Sequence, residues 1–147
     1  MKIAIANDHA AVDLKLELKA YLEEKGHEVV NFGTDTNDSC DYPDFAKKAC
    51  DAVRSGECAF GILVCGTGAG MMIAANKIKG IRAVLCENTV TAHLAKEHND
   101  ANVITLGARI TGSLAAKEIL DSYMGATFMG GNHARRIGKL MEFENQD

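Results

Sequence analysis

The segment at 59–70 constrains the fold of this 147-residue chain more than any other feature. A nearly continuous apolar run at 59–64 passes directly into Cys65, then three glycines at alternate positions, then a helical stretch. A strand that is apolar on both faces is typical of a parallel sheet covered by helices on each side. The pattern therefore predicts a buried parallel strand that ends in a turn suited to binding.

The same alternation of strand and helix patterns extends along the whole chain. Apolar runs predict strands at 3–6, 28–32, 59–64, 81–85 and 103–106. Helical periodicity predicts helices at 10–25, from Pro43 past Val53, and at 71–77, 88–97, 113–124 and 133–143. We expect a three-layer α/β/α Rossmann-like sandwich with a five-stranded parallel sheet. Because no linker or repeat divides the chain, residues 1–147 are expected to form a single domain.

Composition excludes several classes of protein. Apolar residues make up 47% and charged residues 24%, as in a soluble globular domain. A net charge of −4, 5% aromatic residues and no Trp argue against a nucleic-acid-binding surface. No apolar run is long enough to span a membrane, and polar residues come too early for a signal peptide. Five cysteines without a C-x-x-C pair are typical of free thiols in a reducing cytoplasm.

Most of the reactive side chains follow directly after predicted strands. In an open parallel sheet, ligands bind beyond the carboxyl ends of the strands. A thiol and closely spaced glycines do nothing for solubility, which favours a binding site over a merely polar rim. The residues at this rim are Asp8 and His9 after the first strand, Cys65 to Gly70 after the third, Glu87 and Asn88 after the fourth, and Arg109 after the fifth.

The glycine-rich turn and Cys65 are the strongest candidates for chemistry. Glycines let successive backbone N–H groups converge on one point, and the following helix adds the positive end of its dipole. Such a turn can hold a phosphate or a developing oxyanion, although a tight turn without a ligand is the alternative. The same N–H groups would stabilise a Cys65 thiolate, although a small buried hydrophobe is the commonest fate of a free cysteine. Cys40, Cys50, Cys58 and Cys86 are interpreted as structural or incidental.

Other polar residues have two interpretations each. Asp8 is suited to a site but equally to capping the next helix. His98 lies between a helix and the amino end of the fifth strand, so within one subunit it is expected far from the rim. Only a neighbouring subunit could bring it there, and a simple polar turn is the alternative. The basic segment 130–136 suits either anion binding or a solvated turn.

Eight short motifs taken in order point to a known family. They are Asn7-Asp8-His9-Ala10, Asp41-Tyr42-Pro43-Asp44, Cys65-Gly66-Thr67-Gly68-Ala69-Gly70, Ala74-Ala75-Asn76-Lys77, Gly80-Ile81-Arg82-Ala83, Glu97-His98-Asn99-Asp100-Ala101-Asn102, Gly107-Ala108-Arg109 and Gly130-Gly131-Asn132-His133. Together, and over nearly the whole chain, they resemble the ribose-5-phosphate isomerase B family, which includes allose- and galactose-phosphate isomerases. The resemblance implies an aldose–ketose isomerase without metal or other cofactor. It also implies a homodimer or a dimer of dimers with shared active sites, in which the helix at 133–143 reaches the partner.

The resemblance also implies roles for the matching residues. Cys65, assisted by Thr67, would move a proton between C2 and C1 of the open sugar. Some relatives use a Glu where this chain has Met71, so the thiol version is implied here. His98 would open the furanose ring, with help from Asp8. The implied substrate-binding residues are Gly66, Gly68, Ala69 and Gly70 for the enediolate oxygen, Tyr42 and Asn99 for hydroxyls, and His9, Arg109 and Arg136 for the phosphate.

Asn132 departs from the family pattern, because many members carry Arg at this position of the substrate site. Loss of a charged hydrogen bond could weaken the phosphate clamp unless Arg135 compensates. Ribose 5-phosphate is the expected substrate, and a six-carbon sugar phosphate is the alternative. Two rival functions remain: a nucleotide-binding protein, in which Glu87 would hold a ribose hydroxyl, and a sugar-phosphate sensor without catalysis.

Overall fold

The computed structural model describes residues 1–146 and contains one parallel sheet. Its strands are β1 (Lys2–Asn7), β2 (Glu28–Asn31), β3 (Phe60–Cys65), β4 (Ala83–Leu85) and β5 (Val103–Gly107), in the order β2-β1-β3-β5-β4. The α-helices within the described residues are α1 (Val12–Glu24), α2 (Tyr42–Arg54), α3 (Ala69–Asn76), α4 (Thr89–Glu97), α5 (Ser113–Met124) and α6 (Asn132–Glu142). Two 3₁₀ turns lie at His9–Ala11 and Phe143–Asn145. The predicted five-stranded Rossmann-like sandwich is confirmed.

Two element boundaries differ from the prediction for local reasons. β4 begins at Ala83 instead of residue 81, because the N–H of Ile81 donates to Ile78 O at 3.1 Å and that of Arg82 to Asn102 Oδ1 at 2.8 Å. Those bonds form a turn instead of continuing the strand. α3 begins two residues before the predicted start, since Gly68 adopts φ 84° and turns the chain sharply into the helix.

Helices cover both faces of the sheet and enclose two apolar cores. On one face, α1, α4 and α5 pack over the sheet through residues such as Leu18, Ala92 and Leu120. On the other face, α2 and α3 pack through residues such as Cys50 and Met71. Every residue of β3 is buried, as expected for a strand covered on both sides. No helix within residues 1–146 has the length and apolar composition needed to cross a bilayer.

The carboxyl ends of the three central strands are joined by backbone hydrogen bonds just beyond the sheet. The N–H of Asp8 donates to Val64 O at 3.2 Å, which links the end of β1 to β3. The N–H groups of Ala108 and Arg109 donate to Cys65 O at 2.8 Å and Gly66 O at 3.0 Å, which link the end of β5 to the same turn. The segments after β1, β3 and β5 therefore lie side by side.

A buried lysine anchors the β2–α2 segment, which we define as residues 32–41. Lys15 on α1 is 0% exposed, and its Nζ donates to Asn31 Oδ1 at 3.2 Å, Thr34 O at 2.9 Å and Asp35 Oδ1 at 2.5 Å. The hydrogen bond from Lys15 is the main reason that the pKa of Asp35 lies below its usual value. A buried ammonium is tolerated only when its protons have acceptors. Lys15 therefore ties the start of this segment to α1.

α6 packs only loosely on the rest of its own chain. None of its residues is buried, and Leu140 and Phe143 at its end are 48% and 64% exposed. It contacts the body of the protein through His133, and the following 3₁₀ turn does so through Glu144, whose Oε1 accepts the N–H of Gly80 at 2.8 Å. The predicted C-terminal helix is confirmed, while its reach to a partner stays a prediction.

We predict that Gly107→Ala destabilises the protein strongly. A Cβ at position 107 would lie 2.6 Å from both C and O of Thr67, which are backbone atoms that cannot rotate away. The resulting strain should lower the free energy of unfolding by roughly 1–3 kcal/mol, measured by urea denaturation. Gly138→Ala is the matched control, since a Cβ there meets nothing within 4 Å and lies inside a helix. Equal stability of the two variants would contradict the close contact at Gly107.

Candidate active site

Cys65 lies at the end of β3, where the chain leaves the core and enters the glycine-rich turn. The residue is 5% exposed, and its Sγ accepts the backbone N–H of Gly68 at 3.2 Å. The first turn of α3 begins immediately after Gly68 and directs its positive dipole end toward the same place. Both contacts favour a negative charge on the sulfur, as expected for a reactive thiol.

Two backbone N–H groups of the turn, those of Gly68 and Ala69, are already hydrogen-bonded within it. Besides Gly68, the N–H of Ala69 is engaged, because it donates to Thr67 Oγ1 at 3.2 Å. The expectation that the N–H groups from Gly66 to Gly70 hold one oxygen stays a prediction. The N–H of Gly70, in the first turn of α3, has no acceptor within the helix and remains suited to a ligand.

Two predicted substrate-binding side chains lie directly against glycines of this turn. The guanidinium of Arg109 covers Gly66, where a Cβ would lie 3.6 Å from Arg109 Cζ. The ring of Tyr42 covers Gly70, where a Cβ would lie 2.9 Å from Tyr42 Cζ. Gly70 is thus required for the close approach of Tyr42, whereas a Cβ at position 66 would make ordinary van der Waals contact with Arg109. The structure brings the thiol, a cation and a phenol together around one turn.

Asp8 and His9 border the same turn from β1. Asp8 is 7% exposed, and its Oδ1 accepts the N–H of Ala10 at 3.0 Å, so it caps the 3₁₀ turn as the alternative interpretation proposed. His9 is half-buried, and its Nδ1 accepts the backbone N–H of Cys40 at 3.3 Å. The sequence interprets Cys40 as incidental. Because 31 residues separate Cys40 from His9, no local sequence pattern predicts their contact.

The remaining predicted site residues form a second group at the amino end of β5. His98, the C-cap residue that follows α4, stacks on His133 with ring centroids 4.2 Å apart and planes 9° apart. Asn99 and Arg136 line the same cavity of about 400 Å³. Glu97 Oε1 lies 3.8 Å from His98 Nε2, a contact that sequence reasoning did not use. Asn132 begins α6 and is exposed beside this group.

The two groups lie at opposite ends of β5. Arg109 follows the carboxyl end of this strand, whereas Asn99 precedes its amino end at Val103. The structure therefore confirms that His98 is distant from Cys65 within one chain. Each group alone lacks part of what the resemblance implies: the first lacks His98, the residue implied for ring opening, and the second lacks the thiol of Cys65.

Other thiols in the protein are poorly suited to proton transfer. Burial raises the pKa of Cys50 and of Cys86 to about 12 each, and burial is also the main reason that the pKa of Cys58 is raised. These three lie in the apolar cores or beside them, as predicted for structural cysteines. Among residues 1–146, no group of three or more His, Cys, Asp or Glu side chains is arranged to hold a metal ion.

The fold and the first group of residues define a Rossmann-like α/β protein with a thiol and an N–H-lined turn at the carboxyl ends of its strands. Comparison with known proteins identifies the family. Residues 3–140 match the family model of Ribose/Galactose Isomerase. The chain belongs to this family.

Individual relatives agree with that assignment. Ribose-5-phosphate isomerase B of Escherichia coli is 44% identical over 145 residues, which cover 99% of this chain and 97% of that protein. D-erythrulose-4-phosphate isomerase of Pectobacterium atrosepticum is 43% identical over 148 residues, covering 100% of this chain and 97% of the relative. The structure of ribose-5-phosphate isomerase B from Clostridium thermocellum superposes with a TM-score of 0.97 at 50% identity, covering 99% of this chain and 98% of the other.

Proposed function

We propose that this protein is an aldose–ketose isomerase that interconverts ribose 5-phosphate and ribulose 5-phosphate. The family match supports the reaction class, and the relatives named ribose-5-phosphate isomerase B support the substrate. The observation that carries the chemistry is the hydrogen bond from the Gly68 N–H to Cys65 Sγ at the start of α3. The family assignment favours this function over the nucleotide-binding protein and the non-catalytic sensor.

Cys65 acts as the base in the proposed reaction. As a thiolate it removes the proton from C2 of the open-chain aldose, and the electron pair forms an enediolate with the negative charge on O1. The thiol then returns the proton to C1, a proton moves from O2 to O1, and the ketose results. Thr67, exposed beside Cys65, assists the transfer between the oxygens. The Gly68 N–H that donates to Cys65 Sγ is placed to hydrogen-bond the thiolate form of this base.

The enediolate needs fixed hydrogen-bond donors where its charge develops. In the proposed complex, backbone N–H groups of the turn at Gly66 and Gly70 supply them, and the dipole of α3 adds to their effect. These donors stabilise the charge without a metal ion. Tyr42, which covers Gly70, is placed to contact a sugar hydroxyl.

The second group of residues completes the site across a subunit interface in this proposal. His98 would open the furanose ring and Asn99 would contact a hydroxyl, while Arg136 would join His9 and Arg109 on the phosphate. A homodimer brings the amino-end group of one chain to the carboxyl-end group of its partner. The exposed apolar residues of α6 support such an interface, since a helix without buried residues gains stability when covered. Five free cysteines suit the reducing cytoplasm proposed as its location.

A sugar phosphate of another length is the second candidate substrate. Asn132 at the start of α6 replaces a frequent family Arg, and a 43% identical relative is named for a four-carbon sugar phosphate. Both observations concern the length of sugar that fits between the phosphate-binding residues and the thiol of Cys65. Allose 6-phosphate and galactose 6-phosphate remain the six-carbon alternatives.

We predict that Cys65→Ala abolishes isomerisation while the sugar phosphate still binds. Removal of the base should lower kcat about 10²–10⁴-fold, measured with ribose 5-phosphate, allose 6-phosphate and galactose 6-phosphate in parallel. Calorimetric binding of ribose 5-phosphate should change little, because the phosphate contacts remain. Cys58→Ala, which changes a buried cysteine away from the turn, is the matched control. Full activity of Cys65→Ala would refute the proposed base.

We predict that two inactive variants regain activity when mixed. Cys65→Ala and His98→Ala each destroy every site in their own homodimers. After the subunits exchange, a mixed dimer contains one intact site and one doubly altered site, so random exchange should restore about a quarter of wild-type activity. The measurement is ribose 5-phosphate turnover after joint refolding. Absence of recovery, with exchange verified by native mass spectrometry, would show that the sites are not shared.

A further inference from the structure

His9 contacts the β2–α2 segment, and this contact affects which ring nitrogen of His9 carries the proton. The inference rests on the proposed function, in which His9 holds the phosphate. A backbone N–H can only donate, so the Cys40 N–H, 3.3 Å from Nδ1, requires an unprotonated nitrogen there. A neutral His9 ring must then carry its proton on Nε2. The sulfur of Cys40 also lies beside Nδ1, at 3.7 Å, and packs against this edge of the ring.

The opposite ring nitrogen is the one left for a ligand. His9 follows β1 directly, and Ala10 next to it lines a cavity of about 320 Å³ together with Asn37 and Ala108. Ala108 immediately precedes Arg109, so the His9 turn and the Arg109 segment are neighbours on the rim. An Nε2–H on His9 is a neutral donor that complements the charge of Arg109 toward an anionic oxygen.

The segment that carries Cys40 is anchored at its start by polar contacts from two buried side chains. Lys15 Nζ and Asn7 Nδ2 both donate to the carbonyl oxygen of Thr34, at 2.9 and 3.0 Å. Lys15 and Asn7 are both 0% exposed and Thr34 is half-buried, so these bonds are partly shielded from water. The ammonium of Lys15 has no role in the proposed reaction. Its burial is therefore unusual, unless the lysine serves to position the β2–α2 segment.

We propose that Cys40 is a positioning residue for the phosphate site: its N–H, held by the Lys15-anchored β2–α2 segment, fixes His9 in the tautomer that presents Nε2–H to the substrate. The segment thereby sets the affinity for the anion without touching it. The thiol of Cys40 contributes packing, and its backbone N–H contributes the selection of the tautomer.

The direct test is the tautomer of His9 in the wild-type protein. Long-range ¹H–¹⁵N NMR correlation, with the His9 signals identified by their loss in His9→Gln, distinguishes the two neutral forms. We expect the Nε2–H form to dominate at a pH where the ring is neutral. A dominant Nδ1–H form would overturn the proposal, and this measurement does not require any enzyme activity.

Variants then test the cause of the selection. Cys40→Pro removes the N–H and should give a mixture of tautomers, whereas Cys40→Ala keeps the N–H and should retain the Nε2–H form. A folded Cys40→Pro protein with only the Nε2–H form would contradict the role of Cys40. If Cys40→Pro does not fold, the wild-type spectrum and Lys15→Met keep the proposal open to refutation.

Lys15→Met tests the anchoring of the segment. We expect KM for the sugar phosphate and the inhibition constant of inorganic phosphate to rise together by about tenfold, because the loss of one charged hydrogen bond has an effect of this size. The value of kcat should stay within about twofold of the wild-type value. Lys19→Met is the matched control, because Lys19 is on the same helix and its ammonium pairs with Glu23 instead of donating to the β2–α2 segment in the described part of the chain. A Lys15→Met protein with lowered stability but unchanged KM and His9 tautomer would show a purely structural lysine. If the wild-type protein lacks isomerase activity but the His9 tautomer behaves as expected in the wild type and in the Cys40 variants, the proposed function fails, while the selection of the tautomer by Cys40 stands.

Discussion

The site depends on how the turn between β3 and α3 is fixed against the end of β5. Thr105 Oγ1, fully buried, donates to Gly68 O at 2.9 Å, and Gly107 leaves no space between its Cα and the backbone of Thr67. These contacts hold Gly68 in its left-handed conformation, with its N–H on Cys65 Sγ. Because both contacts come from residues of β5, the fold itself fixes the position of the Gly68 N–H beside the thiol.

Much of the fold could be predicted from the sequence, because the signals are local. The all-apolar run ending at Cys65 and the glycine spacing specify a covered strand and a helix-initiating turn. The bounds of α5, Ser113–Met124, follow directly from its periodicity. The start of β4 could not be predicted, since the apolar residue Ile81 is buried in a turn whose hydrogen bonds involve Asn102, which is distant in sequence.

The candidate site was predictable only in part, for the same reason. Three site residues lie at or just beyond the carboxyl ends of strands, where ligands bind in a parallel sheet. They are Asp8, Cys65 and Arg109. The contact of Cys40 with His9 and the burial of Lys15 depend on how a polar segment folds back over the sheet. Nothing in that segment is periodic, so no sequence pattern indicates them. The predicted residues form two groups because some of them lie at the carboxyl end of β5 and the others at its amino end.

The loose packing of α6 has a consequence for local unfolding. Leu140 in this helix and Phe143 just beyond it are 48% and 64% exposed, so they gain little stability from the apolar cores. The helix is held by the stack of His98 on His133 and by contacts such as that of Arg82 with Met141 Sδ, so it is expected to open before the elements packed on the sheet. A segment that opens first is also where cleavage by a protease begins.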